Sequence, residues 1–185
     1  MSFSAVVLAG GVAARLDGAD KASVELQGRT LLTWALDAVV DAAEVVVVGD
    51  PVPTHRPVTF TREDPRHGGP VAALLTGRDA LLDPRALIAV LACDMPFLTP
   101  RTFQRLLGAA GGCDGAVLTG PDGRRQLAMV LDVARLDAVR PSLEEQHNLA
   151  LHRLLAPLDL AEVPAEGREH RDIDTWADVR DLGTP

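Results

Sequence analysis

The sequence predicts an open α/β sheet, mostly parallel, with helices on both of its faces in three layers. Three observations point there. Most of seven short runs are apolar without alternation, as expected of parallel strands covered on both sides. Between them lie stretches whose apolar residues recur at i, i+3, i+4 and i+7, the spacing of one helix face. Glycine or acidic residues follow the ends of several runs, where sheets of this class bind ligands.

Taken in order, the first run is Ser4–Leu8, followed at once by Ala9-Gly10-Gly11. Leu32, Ala35, Leu36 and Val39 draw the apolar stripe of a first helix. Glu44–Val48 and Val58–Thr61 are the next two strands. Pro70 opens a helix that runs toward Leu82, a residue suited to the first helical turn. Leu87–Cys93 is the fourth strand. Thr99 then caps a helix with Pro100 at its first position, Phe103, Leu106, Leu107 and Ala110 on its buried face, and Gly111 beyond its end. Gly115–Leu118 and Leu127–Leu131 read as strands, Ser142–Leu155 as one helix, and Leu158–Val163 as the last strand. Thr175–Leu182 closes the chain as a short helix with Thr175 and Asp178 as its capping box. The 185 residues suffice for one full core and fall short of two ordinary ones, so a single domain over 1–185 is expected.

Charge and composition exclude several functions. A net charge of -8 argues against a nucleic-acid surface or an anionic membrane as partner. The apolar runs fall well short of the roughly 20 residues that span a bilayer. No basic region precedes the first of them, so no secretory signal is read there. Cys93 and Cys113 form neither a disulfide framework nor a metal knuckle, and reduced thiols in a cytoplasmic protein are expected.

Among the 18 cationic residues Lys21 is the only lysine. An ammonium is a compact point charge that fits between phosphate oxygens, where the arginine fork is larger. Lys21 ends a loop that begins with Gly10-Gly11 and carries Arg15 and Gly18. Paired glycines let backbone N–H groups approach a ligand. The spacing matches neither the dinucleotide fingerprint nor the P-loop, which leaves a glycine turn with Arg15 and Lys21 in reach of a triphosphate.

Asp94 stands at the end of the fourth strand with Pro96 two residues on. It suits a hard divalent cation such as Mg²⁺, which takes one or two carboxylates and fills its shell with phosphate and water. The other reading is a turn cap. Cys93 reads as a small buried hydrophobe. Asp64, in Arg62-Glu63-Asp64-Pro65-Arg66-His67-Gly68-Gly69-Pro70, would meet a nucleoside or organise its loop, and His67 stays unassigned. Asp172 and Asp174 share a face of an extended segment, one as second metal ligand and the other as helix cap, or both as caps. Gln126, after Arg124-Arg125, is a candidate contact for a second substrate.

In this order the motifs resemble those of the molybdenum cofactor guanylyltransferases, within the wider nucleotidyltransferase superfamily. The resemblance rests on Leu8-Ala9-Gly10-Gly11 with Arg15 and Asp20-Lys21, on Leu26-Gln27-Gly28-Arg29-Thr30-Leu31, on Glu63-Asp64 ahead of Gly69-Pro70, on Cys93-Asp94-Met95-Pro96, and on Asp172-Ile173-Asp174-Thr175. The terminal segment carries Asp172 and Asp174 where that family often has asparagine.

The resemblance implies a Rossmann-like nucleotidyltransferase fold and transfer of GMP from GTP to molybdopterin with release of pyrophosphate. Lys21, Arg15 and Asp94 would be the catalytic residues. Leu8, Ala9, Gly10, Gly11, Lys21, Asp64 and Asp94 would hold the nucleotide, and Asp94 with Asp174 would hold Mg²⁺. A monomer or weak oligomer, in transient contact with cofactor-delivery or molybdoenzyme proteins, goes with that expectation. The alternatives keep the fold and change the substrates: a molybdopterin cytidylyltransferase, a 2-phospholactate guanylyltransferase or a sugar-phosphate nucleotidyltransferase. A non-catalytic nucleotide-binding module is a further one.

Overall fold

The computed structural model describes residues 2–10, 20–63 and 68–183. Its central sheet is built from β1 (Ser4–Leu8), β4 (Val45–Val48), β5 (Thr59–Thr61), β6 (Leu87–Ala92), β7 (Gly115–Thr119), β8 (Arg125–Asp132) and β9 (Leu160–Pro164). Their spatial order is β5-β4-β1-β6-β8-β7-β9. β8 runs antiparallel to β6 and β7, and the other neighbouring pairs are parallel. A two-stranded hairpin, β2 (Glu25–Leu26) and β3 (Arg29–Thr30), stands apart from this sheet. Its turn residues Gln27 and Gly28 have φ of 54° and 74°, the left-handed pair that a two-residue hairpin requires.

The uninterrupted apolar runs are explained by the layers. Ala5, Val7, Val45, Val47, Ala89, Leu91, Ala116 and Val130 face one side, where α1 (Leu31–Ala38) and α3 (Pro100–Ala109) supply Leu32, Leu36, Phe103 and Leu106. Val6, Val46, Val48, Ile88, Val90, Val117 and Met129 face the other, against Leu74 and Leu75 of α2 (Pro70–Asp79), Leu136 of α4 (Val133–Ala138) and Leu154 of α6 (Leu151–Leu155). Alternate residues of one strand thus enter two separate cores, and neither face is left polar. α2 lies especially close to the sheet. A Cβ on Gly77 would come within 2.4 Å of Val6 and 2.8 Å of Val48.

The expected caps are present. Thr99 accepts from the Thr102 N–H and the Thr102 hydroxyl accepts from the Thr99 N–H, with Pro100 opening α3. Thr175 and Asp178 exchange the same pair of bonds at the start of α7 (Trp176–Gly183). One expected helix is corrected. Ser142–Leu155 divides into α5 (Leu143–Gln146) and α6, because His147 is extended and Asn148 adopts φ 56°. The Asn148 N–H donates to the Gly68 carbonyl at 2.8 Å instead of continuing a helical ladder. Asparagine tolerates that conformation, and tertiary pairing wins over the periodicity of the segment. The α4 helix and the β2–β3 hairpin are additions to the elements expected from sequence.

Candidate active site

The chain runs outward from β1 through β4 to β5, then returns to β6 on the opposite side of β1. The carboxyl ends of β1 and β6 therefore border the crevice where the strand order reverses. Leu8 pairs with Ala92 across it, so the residues after each strand face one another. The Leu8 carbonyl accepts the Cys93 N–H at 3.0 Å, and the Ala9 N–H donates to the Val48 carbonyl at 2.9 Å. Leu8 and Ala9 are buried, whereas Gly10 is exposed. A Cβ on Gly10 would find only ordinary contacts, 3.6 Å from the Val48 carbonyl and 3.8 Å from the Glu63 carboxylate. The fold itself does not require glycine there. Glu63, brought beside Gly10 from the end of β5, was not foreseen as a neighbour of the glycine turn.

Lys21 opens a single turn of 3-10 helix, Lys21–Ser23, rather than lying in an irregular loop. Asp20 caps that turn, accepting from the Ala22 N–H at 3.2 Å and the Ser23 hydroxyl at 3.1 Å. The ammonium then reaches across the crevice. It donates to Asp94 Oδ2 at 2.7 Å and to Asp174 Oδ1 at 2.6 Å. Lys21 and Asp94 are largely shielded, with side chains 17% and 20% exposed, while Asp174 is 47% exposed. Burial works against the charged ammonium, but the hydrogen bonds and negative charges of Asp174 and Asp94 outweigh it and raise the Lys21 pKa above its ordinary value. Asp172 lies within electrostatic reach. Burial, then the charges of Asp174 and Asp94, pushes its carboxyl pKa up. Among the described residues Lys21 thus pairs with two carboxylates, with Asp172 within electrostatic reach of both.

Asp174 arrives by a backbone anchor. The Ile173 N–H donates to the Asp94 carbonyl at 2.8 Å. The Ile173 side chain is fully buried with Val24, Leu26, Leu31 and Leu182, and Phe97 packs against them. This satellite core is built on the β2–β3 hairpin, which explains what the Leu26–Leu31 motif is for. Because extended residues alternate, burying Ile173 turns its neighbours Asp172 and Asp174 to the other side. The expectation that one of these aspartates caps the last helix is corrected: the Asp174 N–H donates to Asp178, and Thr175 completes the cap. Ile173 carried no chemical signal in the sequence, and only its position between two aspartates could have marked it.

Gly11, Arg15, Asp64 and His67 lie outside the described residues. Gln126 folds back on its own hairpin, its amide donating to the Arg124 carbonyl at 3.0 Å. Arg124 is at the exposed tip beside Asp122, so this hairpin is held by local bonds. Cys93 is buried, and that burial, with the charge of Asp94, raises its pKa and keeps the thiol protonated. Among the described residues no group of three or more His, Cys, Asp or Glu side chains forms a metal cage. The two oxygens that share the ammonium of Lys21 instead suit a hard cation completed by phosphate and water. Among the described residues no helix is long and apolar enough to cross a membrane.

Comparison with known proteins gives this geometry a context. Residues 5–163 match the model of the MobA-like NTP transferase domain. A molybdenum cofactor guanylyltransferase of Acidiphilium cryptum is 37% identical over 146 residues, which cover 76% of this chain and 72% of that protein. Of the solved structures, molybdopterin-guanine dinucleotide biosynthesis protein A from Archaeoglobus fulgidus aligns over 97% of this chain and 96% of its own, with TM-score 0.73 and 22% identity. The 2-C-methyl-D-erythritol 4-phosphate cytidylyltransferase of Thermus thermophilus aligns over 99% and 97%, with TM-score 0.76 and 23% identity. The two structural likenesses speak for the fold alone. The match along the sequence goes further, and by it this chain belongs to the family of the MobA-like NTP transferase domain.

Proposed function

We propose that this protein transfers GMP from GTP to molybdopterin in molybdenum cofactor biosynthesis. Family membership and the guanylyltransferase name of its sequence relative support the reaction. The observation that carries the site is the ammonium of Lys21 held between Asp94 and Asp174 beside the exposed Gly10. In the transfer, a phosphate oxygen of molybdopterin attacks the α-phosphorus of GTP. The bond from that phosphorus to the bridging oxygen of the β-phosphate breaks, and pyrophosphate leaves with the electron pair. Such chemistry asks for in-line positioning and charge neutralisation and no protein nucleophile. The protonated Cys93 thiol is consistent with that.

The nucleotide would lie along Leu8, Ala9, Gly10 and Gly11, with Asp64 toward the nucleoside. Lys21 and Arg15 would hold the phosphates. Lys21 has two stations in this reading: with the aspartates before GTP binds, and on the triphosphate afterwards. Asp94 and Asp174, released from it, would hold Mg²⁺, which supplies charge neutralisation for the phosphates. We assign the reaction to the cytoplasm and to a monomer or weak oligomer, in passing contact with proteins that deliver or receive the cofactor.

The test is the initial rate of pyrophosphate release with molybdopterin, Mg²⁺ and each of GTP, CTP, ATP and UTP. A site that hydrogen-bonds one base edge should prefer GTP by at least about a hundredfold in kcat/KM. Equal use of CTP would replace the guanylyl reading with a cytidylyl one, and no release with any nucleotide would leave a binding module.

A further inference from the structure

The segment that carries Asp174 to the site, residues 165–174, lies beyond the stretch matched by the family model. It is fastened at several points to the elements that follow Asp94. The firmest fastening is Glu169, the one buried carboxylate among the described residues, 7% exposed. Its Oε1 accepts from the Thr102 hydroxyl at 2.5 Å, and its Oε2 accepts from Arg105 and from the Glu166 N–H at 2.7 Å. Thr102 and Arg105 belong to α3, the helix that begins just after the Asp94 turn. Arg105 also donates to the Pro164 carbonyl at 3.0 Å and pairs with Glu166 at 3.0 Å. One guanidinium therefore grips the segment at the end of β9 and again at Glu169. Arg168 lies 4.1 Å over the Phe97 ring, and Ile173 is bound to the Asp94 carbonyl.

A buried carboxylate is costly unless its charge is paired and its oxygens are hydrogen-bonded, and Glu169 meets both conditions in this arrangement. What the buried pair adds is a definite path for the chain between β9 and Ile173, referenced to the same helix that is reached from Asp94. We infer that Glu169 is a positioning residue for the reaction: it fixes Asp174 relative to Asp94, and so sets the spacing of the two carboxylates that exchange Lys21 for a metal ion. This rests on the transferase reading above, because it concerns the metal that accompanies the nucleotide.

The test is Glu169→Gln in the full chain. The amide keeps the shape but offers one acceptor oxygen: turned toward Arg105 and the Glu166 N–H it still accepts there, its NH₂ then faces the Thr102 hydroxyl, and the negative charge is lost, while Arg105 retains Pro164 and Glu166. The probe is Mn²⁺ titrated into protein with GTP, the free ion read by electron paramagnetic resonance. Melting temperature and GTP binding without metal are measured in parallel. The expected result is Mn²⁺ affinity weakened by about tenfold or more, the usual effect of removing a partner that orients a ligand. Metal-free GTP binding should be unchanged, and Arg105→Lys, which keeps the charge, should lose less. A Glu169→Gln protein that melts earlier but binds Mn²⁺ as wild type does would overturn the inference and leave Glu169 a structural residue. If Glu169→Gln does not fold, Arg105→Lys is judged by the same criterion. Wild-type protein that binds neither GTP nor Mn²⁺ with GTP would overturn the transferase reading itself, and the inference with it.

Discussion

Two clusters of charge in this molecule are built on opposite plans. On the α2–α4 side of the sheet, Arg78 grips Asp137 with two bonds, 3.0 and 2.7 Å, and Arg140 grips Asp79 in the same forked way. Two guanidiniums answer two carboxylates, every fork is matched, and the result ties α2 to the region of α4. At the crevice, among the described residues, one ammonium answers Asp94 and Asp174, with the exposed Asp172 within electrostatic reach. The first cluster is neutral and complete. Among the described residues the second has two carboxylates for one ammonium, with Lys21 and Asp94 largely withdrawn from water, where an uncompensated charge costs most. A second cation would relieve it, and a metal-nucleotide complex brings one. Balance marks the structural cluster and imbalance the one proposed to hold metal and nucleotide.

The largest effect should come from breaking the functional cluster at Asp94. Asp94→Asn keeps the shape and removes the charge, and turnover with Mg²⁺ should fall on the order of a thousandfold. Some metal-free GTP binding should survive. Asp174→Asn should be much milder, since Asp174 is the more exposed partner and Asp172 stands nearby. Wild-type Mg²⁺ titration and turnover in Asp94→Asn would move the metal elsewhere.

Lys21 offers a change of opposite sign in two assays. Lys21→Ala should lose most transferase activity, on the order of a hundredfold, and Lys21→Arg should recover part of it. In the absence of nucleotide, however, Lys21→Met should bind Mn²⁺ more tightly than wild type by roughly tenfold, or about 1.4 kcal/mol. The two carboxylates would then have no resident ammonium to displace. Unchanged metal affinity in Lys21→Met would show that lysine and metal do not compete.

The smallest effect belongs to the balanced cluster. Exposed pairs are typically worth about 0.2–1 kcal/mol, so Asp79→Asn should lower the melting temperature by a few degrees at most, with normal kinetics. The hydrogen bonds of Arg140 hold the Asp79 pKa below the ordinary carboxylate value. Its contribution is therefore present above the unfolded pKa and is lost as pH falls through the folded one. The melting difference between Asp79→Asn and wild type should be full near neutrality and shrink below about pH 4. A difference that grew in acid would contradict this account of the pair.

Much of this protein follows from local rules. Apolar runs place the strands to within one or two residues, because a strand covered by helices on both sides must be largely apolar on both faces. Thr99-Pro100 and Thr175…Asp178 start their helices because a backbone N–H near a helix start needs a nearby acceptor. The single lysine and the aspartate after β6 stand out from composition and position alone.

The rest depends on partners far along the chain. Ser142–Leu155 has helical spacing throughout, yet Asn148 bonds to Gly68 and the helix breaks. Glu169 looks like any surface glutamate until α3 and the end of β9 close around it. Lys21 is 73 residues from Asp94 and 153 from Asp174. Sequence by itself determined most of the elements and the kinds of chemical group at their ends, because those depend on backbone bonds and burial within a few residues. Only tertiary structure decided that these groups meet. The meeting depends on β6 returning beside β1, and on Ile173 gaining more by burial against the β2–β3 hairpin than it would exposed to water.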